Sequence, residues 1–239
     1  MIRLYIPQPL STGAALAPTL DQSRYLTQVM RLKAGDELRV FNGRDGEWRC
    51  SVAEVLKRGC LLKAEERVRG QILPPDVELI LAVVKKSPLE FAVEKATELG
   101  VRRIRLVRTA RTQPQTIRLD RLDIIAVESA EQTGRMDVPE IVASEPLDAL
   151  LDGWDPERRL MFCDETGGPP ALTALPKAGG QAWGILIGPE GGFSPDERDR
   201  LRALPFATAV SLGPRVLRAD TAAVTALALW QATLGDWER

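Results

Sequence analysis

Two glycine-rich stretches near the C-terminus carry residues whose types and spacing suit the binding of a small molecule. The first runs Ile185-Leu-Ile-Gly-Pro-Glu-Gly-Gly-Phe-Ser-Pro-Asp-Glu197, and the second runs Ser211-Leu-Gly-Pro-Arg-Val-Leu-Arg-Ala-Asp-Thr221. Each begins as a short apolar run and breaks at a Gly-Pro pair, which is typical of a buried strand that ends in a sharp loop. Ligands of open α/β sheets bind outside the C-terminal ends of the strands. The two loops are therefore predicted to line one shared pocket.

The first loop also indicates which kind of ligand the pocket takes. Its three glycines, Gly188, Gly191 and Gly192, let a ligand approach bare backbone, and the run from Ser194 to Glu197 has the pattern of a capped helix start. No Lys-Ser or Lys-Thr pair follows the glycines, and the Gly-x-Gly-x-x-Gly fingerprint is absent, which argues against the common phosphate and dinucleotide loops. An acid, Glu190, stands where a phosphate would lie, and we expect it to be a structural residue that ties the loop to backbone amides. The pattern favours a ligand without phosphate.

Composition excludes several classes of chemistry. The 239 residues include no histidine, which excludes a Ser-His-Asp triad, a histidine base and every histidine-ligated metal site. Three scattered cysteines without a Cys-x-x-Cys pair argue against a disulfide framework or a zinc site. The formal net charge is −1, so any binding of RNA must come from local patches. With no signal peptide and no apolar run long enough to span a bilayer, we expect a soluble, cytoplasmic protein without a metal.

The elements that must position the glycine loops fall into two groups. Residues 1–70 contain short alternating strands, hairpin signals at Asn42-Gly43 and Asp45-Gly46, and a short helix predicted over 23–32. The proline-rich residues 71–76 are predicted to be a linker. From 77 to 239 strands alternate with helices, which predicts an α/β domain with a parallel sheet.

The predicted elements of the α/β domain begin with a fully apolar strand at 77–84. A helix follows, opened by a capping box at Ser87-Pro-Leu-Glu90 and ended by Gly100. The remaining predicted strands are 103–107, 160–163, 183–188 and 207–212, and the remaining predicted helices are 119–134 and 220–234.

The chain resembles the RsmE family of ribosomal RNA methyltransferases in two motifs, Leu186-Ile-Gly-Pro-Glu-Gly-Gly192 and Leu212-Gly-Pro-Arg-Val-Leu-Arg218. Further matches are Glu94-Lys-Ala-Thr-Glu-Leu-Gly-Val101, Glu131-Gln132 with Arg135, and the segment from Arg24 to Asp36. The resemblance thus covers nearly the whole chain. Two departures accompany it. The chain has Ala219-Asp220 where the family commonly has Thr-Glu, and it lacks the histidine that the family often carries in its N-terminal segment.

The resemblance implies both a fold and an activity. The fold is an α/β domain of the SPOUT class, tied in a deep trefoil knot, behind a small PUA-like β-barrel that binds RNA. The activity is methylation of N3 of one uridine in small-subunit (16S) ribosomal RNA, with S-adenosylmethionine bound in the knot. The implied cofactor-binding residues are Leu186, Ile187, Gly188, Pro189, Glu190, Gly191, Gly192, Leu212, Gly213, Val216, Leu217, Arg218 and Thr221.

A block of arginines between 101 and 119 is a candidate RNA surface. It contains six arginines and no acid, and such blocks are often no more than a solvated face. Arg108 and Arg111 follow a predicted strand on the side of the ligand loops, so we expect them to contact phosphates without affecting cofactor affinity. The resemblance adds Arg24 and Arg31 of the PUA-like module as RNA contacts.

Methyl transfer to N3 of uracil requires the loss of a proton and places negative charge on the two flanking carbonyls. Arg218 is the candidate donor to those carbonyls, and Arg135 or backbone donors of the glycine loops would take this role if Arg218 does not. The alternative for Arg218 is an arginine that caps a neighbouring backbone carbonyl. Asp220 and Glu131 are the candidate bases, although Asp220 suits a helix N-cap and Glu131 with Arg135 suits a helix salt bridge. Proton loss through water is a further alternative.

The last predicted helix, from Asp220 to about residue 234, is apolar nearly all round. Such a helix is buried in a core or at a subunit interface, and the resemblance favours a homodimer. Two alternative functions stay open on the sequence: methylation of another RNA site by a related knotted enzyme, and a non-catalytic RNA-binding assembly factor that keeps the fold.

Overall fold

The chain forms two compact units in a computed structural model that describes residues 1–178 and 181–237, apart from the side chain of Lys177. The N-terminal unit contains Met1–Leu73 and Ala130–Val138, and the C-terminal unit contains Pro74–Ser129 and the chain from Pro139 onward. The sequence predicts a single division at 71–76, and the structure differs at 130–138. That segment packs with the first strand because the Arg3 guanidinium donates hydrogen bonds to the carbonyls of Ala130, Glu131 and Arg135.

A five-stranded sheet organises the N-terminal unit. Its strands are β1 (Arg3–Tyr5), β2 (Ala15–Leu16), β3 (Glu37–Phe41), β4 (Glu47–Leu56) and β5 (Gly59–Arg69). They lie in the order β1-β3-β4-β5-β2, with β1 parallel to β3 and the other neighbours antiparallel. Leu38 and Val40 of β3 alternate with outward-facing residues and join one buried core with Val52 of β4. The predicted hairpin signals lie in the turn from β3 to β4.

The helical segment of this unit differs from the prediction of one helix over 23–32. Helix α1 (Leu20–Arg24) begins earlier because the Thr19 side chain caps it by accepting the N–H of Gln22. A single π-helical turn (Tyr25–Val29) follows directly. Arg31 then takes φ 58°, a backbone conformation uncommon for residues other than glycine, and ends the segment.

A six-stranded parallel sheet organises the C-terminal unit. Its strands are β6 (Val77–Ala82), β7 (Arg103–Arg108), β8 (Glu140–Pro146), β9 (Arg159–Cys163), β10 (Trp183–Ile187) and β11 (Ala207–Val210). The order across the sheet is β11-β9-β10-β6-β7-β8. Every residue of β6 and β10 is buried, as expected for the central strands of a sheet covered on both faces.

Six helices accompany this sheet along the described chain. They are α2 (Lys86–Glu98), α3 (Leu119–Thr133), α4 (Leu147–Asp152), α5 (Ala171–Ala178), α6 (Pro195–Ala203) and α7 (Ala219–Leu234). The capping box predicted at Ser194 and Glu197 is confirmed. The one predicted at Ser87 is wrong, because α2 begins at Lys86 after Lys85, whose side chain makes no capping bond. Among the described helices, none is both long enough and apolar enough to cross a membrane.

The N-terminal edge of the parallel sheet holds a buried carboxylate. Glu78 of β6 is 5% exposed at its side chain and lies 3.4 Å from Arg158 and 3.8 Å from Arg103. Burial raises the pKa of Glu78 in spite of these neighbouring arginines, because desolvation disfavours its charged form more than they favour it. This edge lies at the end of the strands away from the glycine loops.

Candidate active site

A cleft of about 180 Å³ opens at the C-terminal ends of three neighbouring strands, β9, β10 and β11. Both glycine loops line it, as the sequence predicts, together with the loop after β9 and the first turns of α7. Of the predicted cofactor residues, those on the lining are Ile187, Gly188, Pro189, Glu190, Gly191, Gly192, Leu212, Gly213, Val216 and Leu217.

Three of the predicted cofactor-binding residues lie outside the lining of the cleft. Leu186 is fully buried and belongs to the core under the sheet, because alternate residues of β10 point away from the cleft. Arg218 and Thr221 are exposed and lie outside the cleft lining, although Leu217 and Ala219 on either side of Arg218 belong to it. Arg218 therefore stands at the rim of the cleft.

The backbone at Gly213 leaves the cleft open. Gly213 has φ 116°, and a Cβ placed on it would meet no atom within 4 Å. A side chain at this position would be strained and would project into free space, where a ligand can instead approach the peptide backbone. Gly192 has φ 67° and is crowded instead, because the carboxylate of Glu165 occupies the place that its Cβ would take.

The loop after β9 is a part of the site that the sequence analysis missed. Asp164 is fully buried, and its carboxylate accepts hydrogen bonds from Arg202 at 2.6 Å and from the hydroxyl of Thr166 at 2.7 Å. These bonds hold the loop so that Glu165 lines the cleft. The signal was present, since β9 was predicted and the C-terminal ends of neighbouring parallel strands share one edge.

The charged groups of the cleft are mostly acidic. Glu165 and Glu190 line it alongside the held Asp164, and Arg215 is the lining cation of the second glycine loop. Burial raises the pKa of the Cys163 thiol at the cleft floor to about 12, so this thiol stays protonated and is no nucleophile at neutral pH. The arrangement suits a cationic ligand with an apolar part that can pack on Ile187, Leu212 and Val216.

The loop after β7 is tied to the first glycine loop. The Arg111 guanidinium donates a hydrogen bond of 2.7 Å to the carbonyl of Gly191. The Glu197 carboxylate accepts from the backbone N–H of Ala110 at 2.7 Å and from that of Ser194 at 2.8 Å. Arg111 thus supports the cleft wall, whereas Arg108 donates to the carbonyl of Ser144 on β8 at 2.6 Å.

The other predicted catalytic residues are engaged elsewhere. Glu131 and Arg135 belong to the N-terminal unit, where the Glu131 carboxylate accepts the backbone N–H of Tyr5 at 2.8 Å and Arg135 pairs with Asp137 at 2.8 Å. Asp220 accepts the N–H of Thr221 at 2.7 Å. Asp220 is not the N-cap of α7, because Arg218 occupies that position.

The two remaining predicted RNA contacts, Arg24 and Arg31, are exposed in the N-terminal unit. Among the described residues, Arg24 makes a single exposed ion pair, of 3.4 Å with Asp21. Exposed pairs of this kind contribute little stability, so both guanidinium groups are accessible to a partner.

Known proteins resemble this chain over most of its length. The family model of the RNA methyltransferase domain matches residues 72–231, and that of the RNA methyltransferase PUA domain matches residues 18–65. The ribosomal RNA small subunit methyltransferase E of Rickettsia conorii is 30% identical over 95% of this chain and 93% of its own length. The enzyme of the same name from Synechocystis is 32% identical over 97% of this chain and 78% of its own length.

Solved structures show the same fold. The ribosomal RNA small subunit methyltransferase E from Neisseria gonorrhoeae, bound to S-adenosyl methionine, has a TM-score of 0.90 at 25% identity over 99% of both chains. A methyltransferase from Legionella pneumophila in complex with the same cofactor has a TM-score of 0.83 at 28% identity over 98% of both chains. The predicted fold class, a SPOUT-type α/β domain with a PUA-like N-terminal domain, is confirmed. The chain belongs to the RNA methyltransferase family that includes the ribosomal RNA small subunit methyltransferases E.

Proposed function

We propose that this chain methylates N3 of one uridine in small-subunit (16S) ribosomal RNA, with S-adenosylmethionine as methyl donor. The observation that carries the proposal is the cleft between the two glycine loops. The related Neisseria and Legionella proteins, which share the fold, were solved with S-adenosyl methionine bound, and this supports the choice of cofactor. Family membership supplies the class of reaction and the RNA substrate.

The residues of the cleft fit this cofactor. The open backbone at Gly213 leaves room that a Cβ would fill, and the acidic lining suits a molecule that carries a sulfonium and an ammonium group. When bound, S-adenosylmethionine supplies an electrophilic methyl group. Arg215 is the lining cation that can pair with the carboxylate of its methionine part, and Ile187, Leu212 and Val216 provide apolar contacts.

We propose that the Glu190 carboxylate is the base that accepts the proton from N3 of uracil. Its carboxylate is exposed, lines the cleft, and makes no hydrogen bond or ion pair with any described residue. Asp220 and Glu131, the candidates from the sequence, both have their carboxylates hydrogen-bonded to backbone N–H groups. A carboxylate that is free and borders the methyl donor's cleft is better placed to accept a proton during the reaction.

Arg218 keeps the role of stabilising the negative charge that develops on the uracil carbonyls. Its side chain is exposed at the cleft rim, and among the described residues it has no hydrogen-bond partner. A guanidinium group with free donors can meet a carbonyl oxygen whose charge increases in the transition state. Arg24, Arg31, Arg108 and Arg111 are proposed to contact RNA phosphates, and Arg111 also supports the glycine loop.

Glu131 and Arg135 take a different role in this proposal. The Glu131 carboxylate and the Arg3 guanidinium connect the 130–138 segment to β1, and the Arg135–Asp137 pair closes it. We propose that these residues stabilise the RNA-binding unit and do not touch the reacting atoms.

We further propose that the active protein is a cytoplasmic homodimer that pairs through α7. Ala222, Ala226 and Trp230 of this helix are buried within the unit, whereas the apolar side chains of Val224, Ala228 and Leu229 are only half-buried. A second copy would cover this half-buried face.

The test is methyl transfer from labelled S-adenosylmethionine to small subunits purified from a strain that lacks the gene. We expect one modified uridine, located by mass mapping and by a primer-extension stop, because a methyl group on N3 blocks base pairing. Transfer to another nucleotide would favour a related knotted enzyme. RNA binding without any transfer would favour an assembly factor.

A further inference from the structure

Two further cavities continue from the cofactor cleft along the same edge of the sheet. The base cavity, of about 200 Å³, is lined by Val83 and Lys85 after β6, by Arg111, Gln113 and Gln115 after β7, and by Glu190. The flanking cavity, of about 470 Å³, lies between the first turns of α2 and α3 and includes Val84, Leu89, Ile117, Arg118 and Arg121. Both belong to the C-terminal unit.

The order of the strands sets the order of the cavities. The cofactor cleft lies over β11, β9 and β10, and the base cavity lies over the next strands, β10, β6 and β7. Glu190 and Gly191 line both of them. Val84 and Gln115 line both the base cavity and the flanking cavity. The three spaces therefore form one track with shared walls.

The sign of the charge changes along this track. The cofactor cleft is lined by acids and Arg215, which suits a cationic cofactor. The two further cavities are lined by five cations and two acids, and the acids are Glu190 and Glu90. The five cations are Lys85, Lys86, Arg111, Arg118 and Arg121. A polyanion such as RNA is attracted to this end of the track and not to the acidic cleft.

We propose that the track binds single-stranded RNA, with the target uracil in the base cavity and the next nucleotide in the flanking cavity. The proposal rests on the proposed function and adds where the substrate lies. N3 is on the pairing edge of uracil, so the target nucleotide must be unpaired and turned out of its stack before it can react. A base in the base cavity then shares the wall at Glu190 with the methyl donor.

The base cavity offers hydrogen-bonding groups that match the pairing edge of uracil. The side chains of Gln113 and Gln115 are exposed, and within the described chain neither carboxamide has a hydrogen-bond partner. An amide N–H can donate to O2 or O4 of uracil, and Glu190 can accept from N3–H. The volume is several times the ~30 Å³ that one liquid water occupies, so a single pyrimidine has room.

The flanking cavity has apolar walls and a cationic rim. Leu89 is buried and Ile117 half-buried, and they offer a surface for a stacked base, while Lys86 and Arg121 are exposed for a phosphate. Arg118 shares its charge with Asp120 in an exposed pair of 2.6 Å, which leaves Arg121 as the cation for the test.

The experiment compares two fluorescent single-stranded RNAs, an oligocytidine with one central uridine and the same RNA with that base removed. Binding is measured by anisotropy in the presence of S-adenosylhomocysteine. We expect wild type to prefer the uridine RNA by about five- to tenfold, the size of one or two buried hydrogen bonds. The double variant Gln113→Ala/Gln115→Ala should bind both RNAs equally. Arg121→Ala should weaken both RNAs alike and lower the salt slope by about one.

The control is Gln181→Ala, an exposed glutamine before β10 at the opposite edge of the sheet. It should bind both RNAs as wild type does. All variants should bind S-adenosylhomocysteine normally by calorimetry, which shows that the fold and the cofactor cleft are intact.

Several outcomes would overturn the track. They are an equal preference for uridine in the double variant and wild type, no preference in wild type, or a change of oligomeric state in the double variant, which would mean that a second copy covers the cavities. The proposed function is judged separately by methylation of small subunits. Wild type that methylates the subunits while the double variant shows unaltered binding would reject only the track.

Discussion

Glu190 borders both the cofactor cleft and the base cavity. In the proposed complex this one side chain lies beside both the methyl donor and the target uracil. From the sequence, Glu190 is expected to tie the glycine loop to backbone amides, but its exposed carboxylate makes no hydrogen bond with any described residue. Glu131 has a partner that sequence spacing does not indicate, the backbone N–H of Tyr5 at the other end of the chain. Residue types predict the chemistry of a loop well. The partner of each side chain cannot be predicted in this way, because it often comes from a distant part of the sequence.

Glu190→Gln should lower the rate of methyl transfer by about 10²-fold at neutral pH, the usual contribution of a positioned base. Raising the pH should restore part of the rate, because more uridine has then already lost its N3 proton. The measurement is single-turnover methylation of small subunits from neutral to alkaline pH, with S-adenosylhomocysteine affinity as the control for the cleft. A near-normal rate at neutral pH would remove Glu190 from this role.

Arg215 and Arg218 provide a matched pair three residues apart. Arg215→Ala should weaken S-adenosylhomocysteine binding by about tenfold, as expected for the loss of one charged hydrogen bond at a partly exposed site. Arg218→Ala should leave cofactor affinity unchanged and lower the single-turnover rate by roughly 10²-fold. Calorimetry measures the cofactor affinity of both variants, and single-turnover methylation measures their rates. If Arg218→Ala instead loses cofactor affinity and Arg215→Ala instead loses rate, the two roles are exchanged. The sequence could not separate them, since a loop has no periodicity that says which side chain faces the cleft.

At the scale of elements, the loops at the C-terminal ends of the strands are fastened to one another. Glu197 at the start of α6 connects the loop after β7 to the first glycine loop, and Arg111 holds the Gly191 carbonyl. The sequence predicted the helix start at Ser194 correctly because Pro195 at the first helical position favours it. It failed at Ser87 because a similar pattern lies inside a helix that had already begun. It missed β8, an edge strand in which no residue is fully buried.

Arg108→Ala and Arg111→Ala should now differ in their effects. Both should weaken RNA binding and lower its salt slope by about one. Only Arg111→Ala should also weaken S-adenosylhomocysteine binding, by a few-fold, because its guanidinium supports the cleft wall at Gly191. The sequence predicted no effect on the cofactor for either variant. Calorimetry of the two proteins tests this, and equal cofactor affinities would show that the Arg111 bond does not hold the loop.

Glu78→Gln tests the buried edge of the sheet. Burial raises the pKa of Glu78 above its ordinary value of 4.5, so the folded state binds its proton more tightly than the unfolded state does. The protonated Glu78 therefore does not destabilise the fold below pH 4.5, and the free energy of unfolding falls as the pH rises through the folded pKa of Glu78. The variant should therefore match wild type near pH 4 and unfold at higher denaturant than wild type at pH 7. A variant that is less stable at pH 7 would mean that the arginine pairs outweigh the cost of burial.

At the scale of the whole molecule, the sequence predicted two parts and the α/β class, because strand alternation changes to a strand–helix pattern after residue 76. It could not predict that residues 130–138 pack with the N-terminal strands, since this contact joins distant parts of the chain through Arg3. The trefoil knot is likewise implied by the family alone. A knot is a path through space, and hydrophobic periodicity describes only local structure.

Val224→Glu tests the proposed dimer. A charge on the half-buried face of α7 should leave the fold intact and convert a dimer into a monomer, because an unpaired carboxylate would be buried at the interface. Sedimentation velocity of wild type and variant measures this. The control is Val55→Glu on β4, an exposed valine of the N-terminal unit, which should leave the assembly unchanged. A monomeric wild type would reject the dimer.

The pairing of β10 with β6 has a consequence for folding during protein synthesis. Residue 183 of β10 lies beside residue 77 of β6, and the cofactor cleft further requires β11 and α7, the last elements of the chain. Translation delivers a chain from its N-terminus, and such distant pairings form only when both partners have been synthesised. The cleft therefore cannot assemble while the final helix is still inside the exit tunnel. A newly made molecule can therefore bind its cofactor only after α7 has emerged from the exit tunnel.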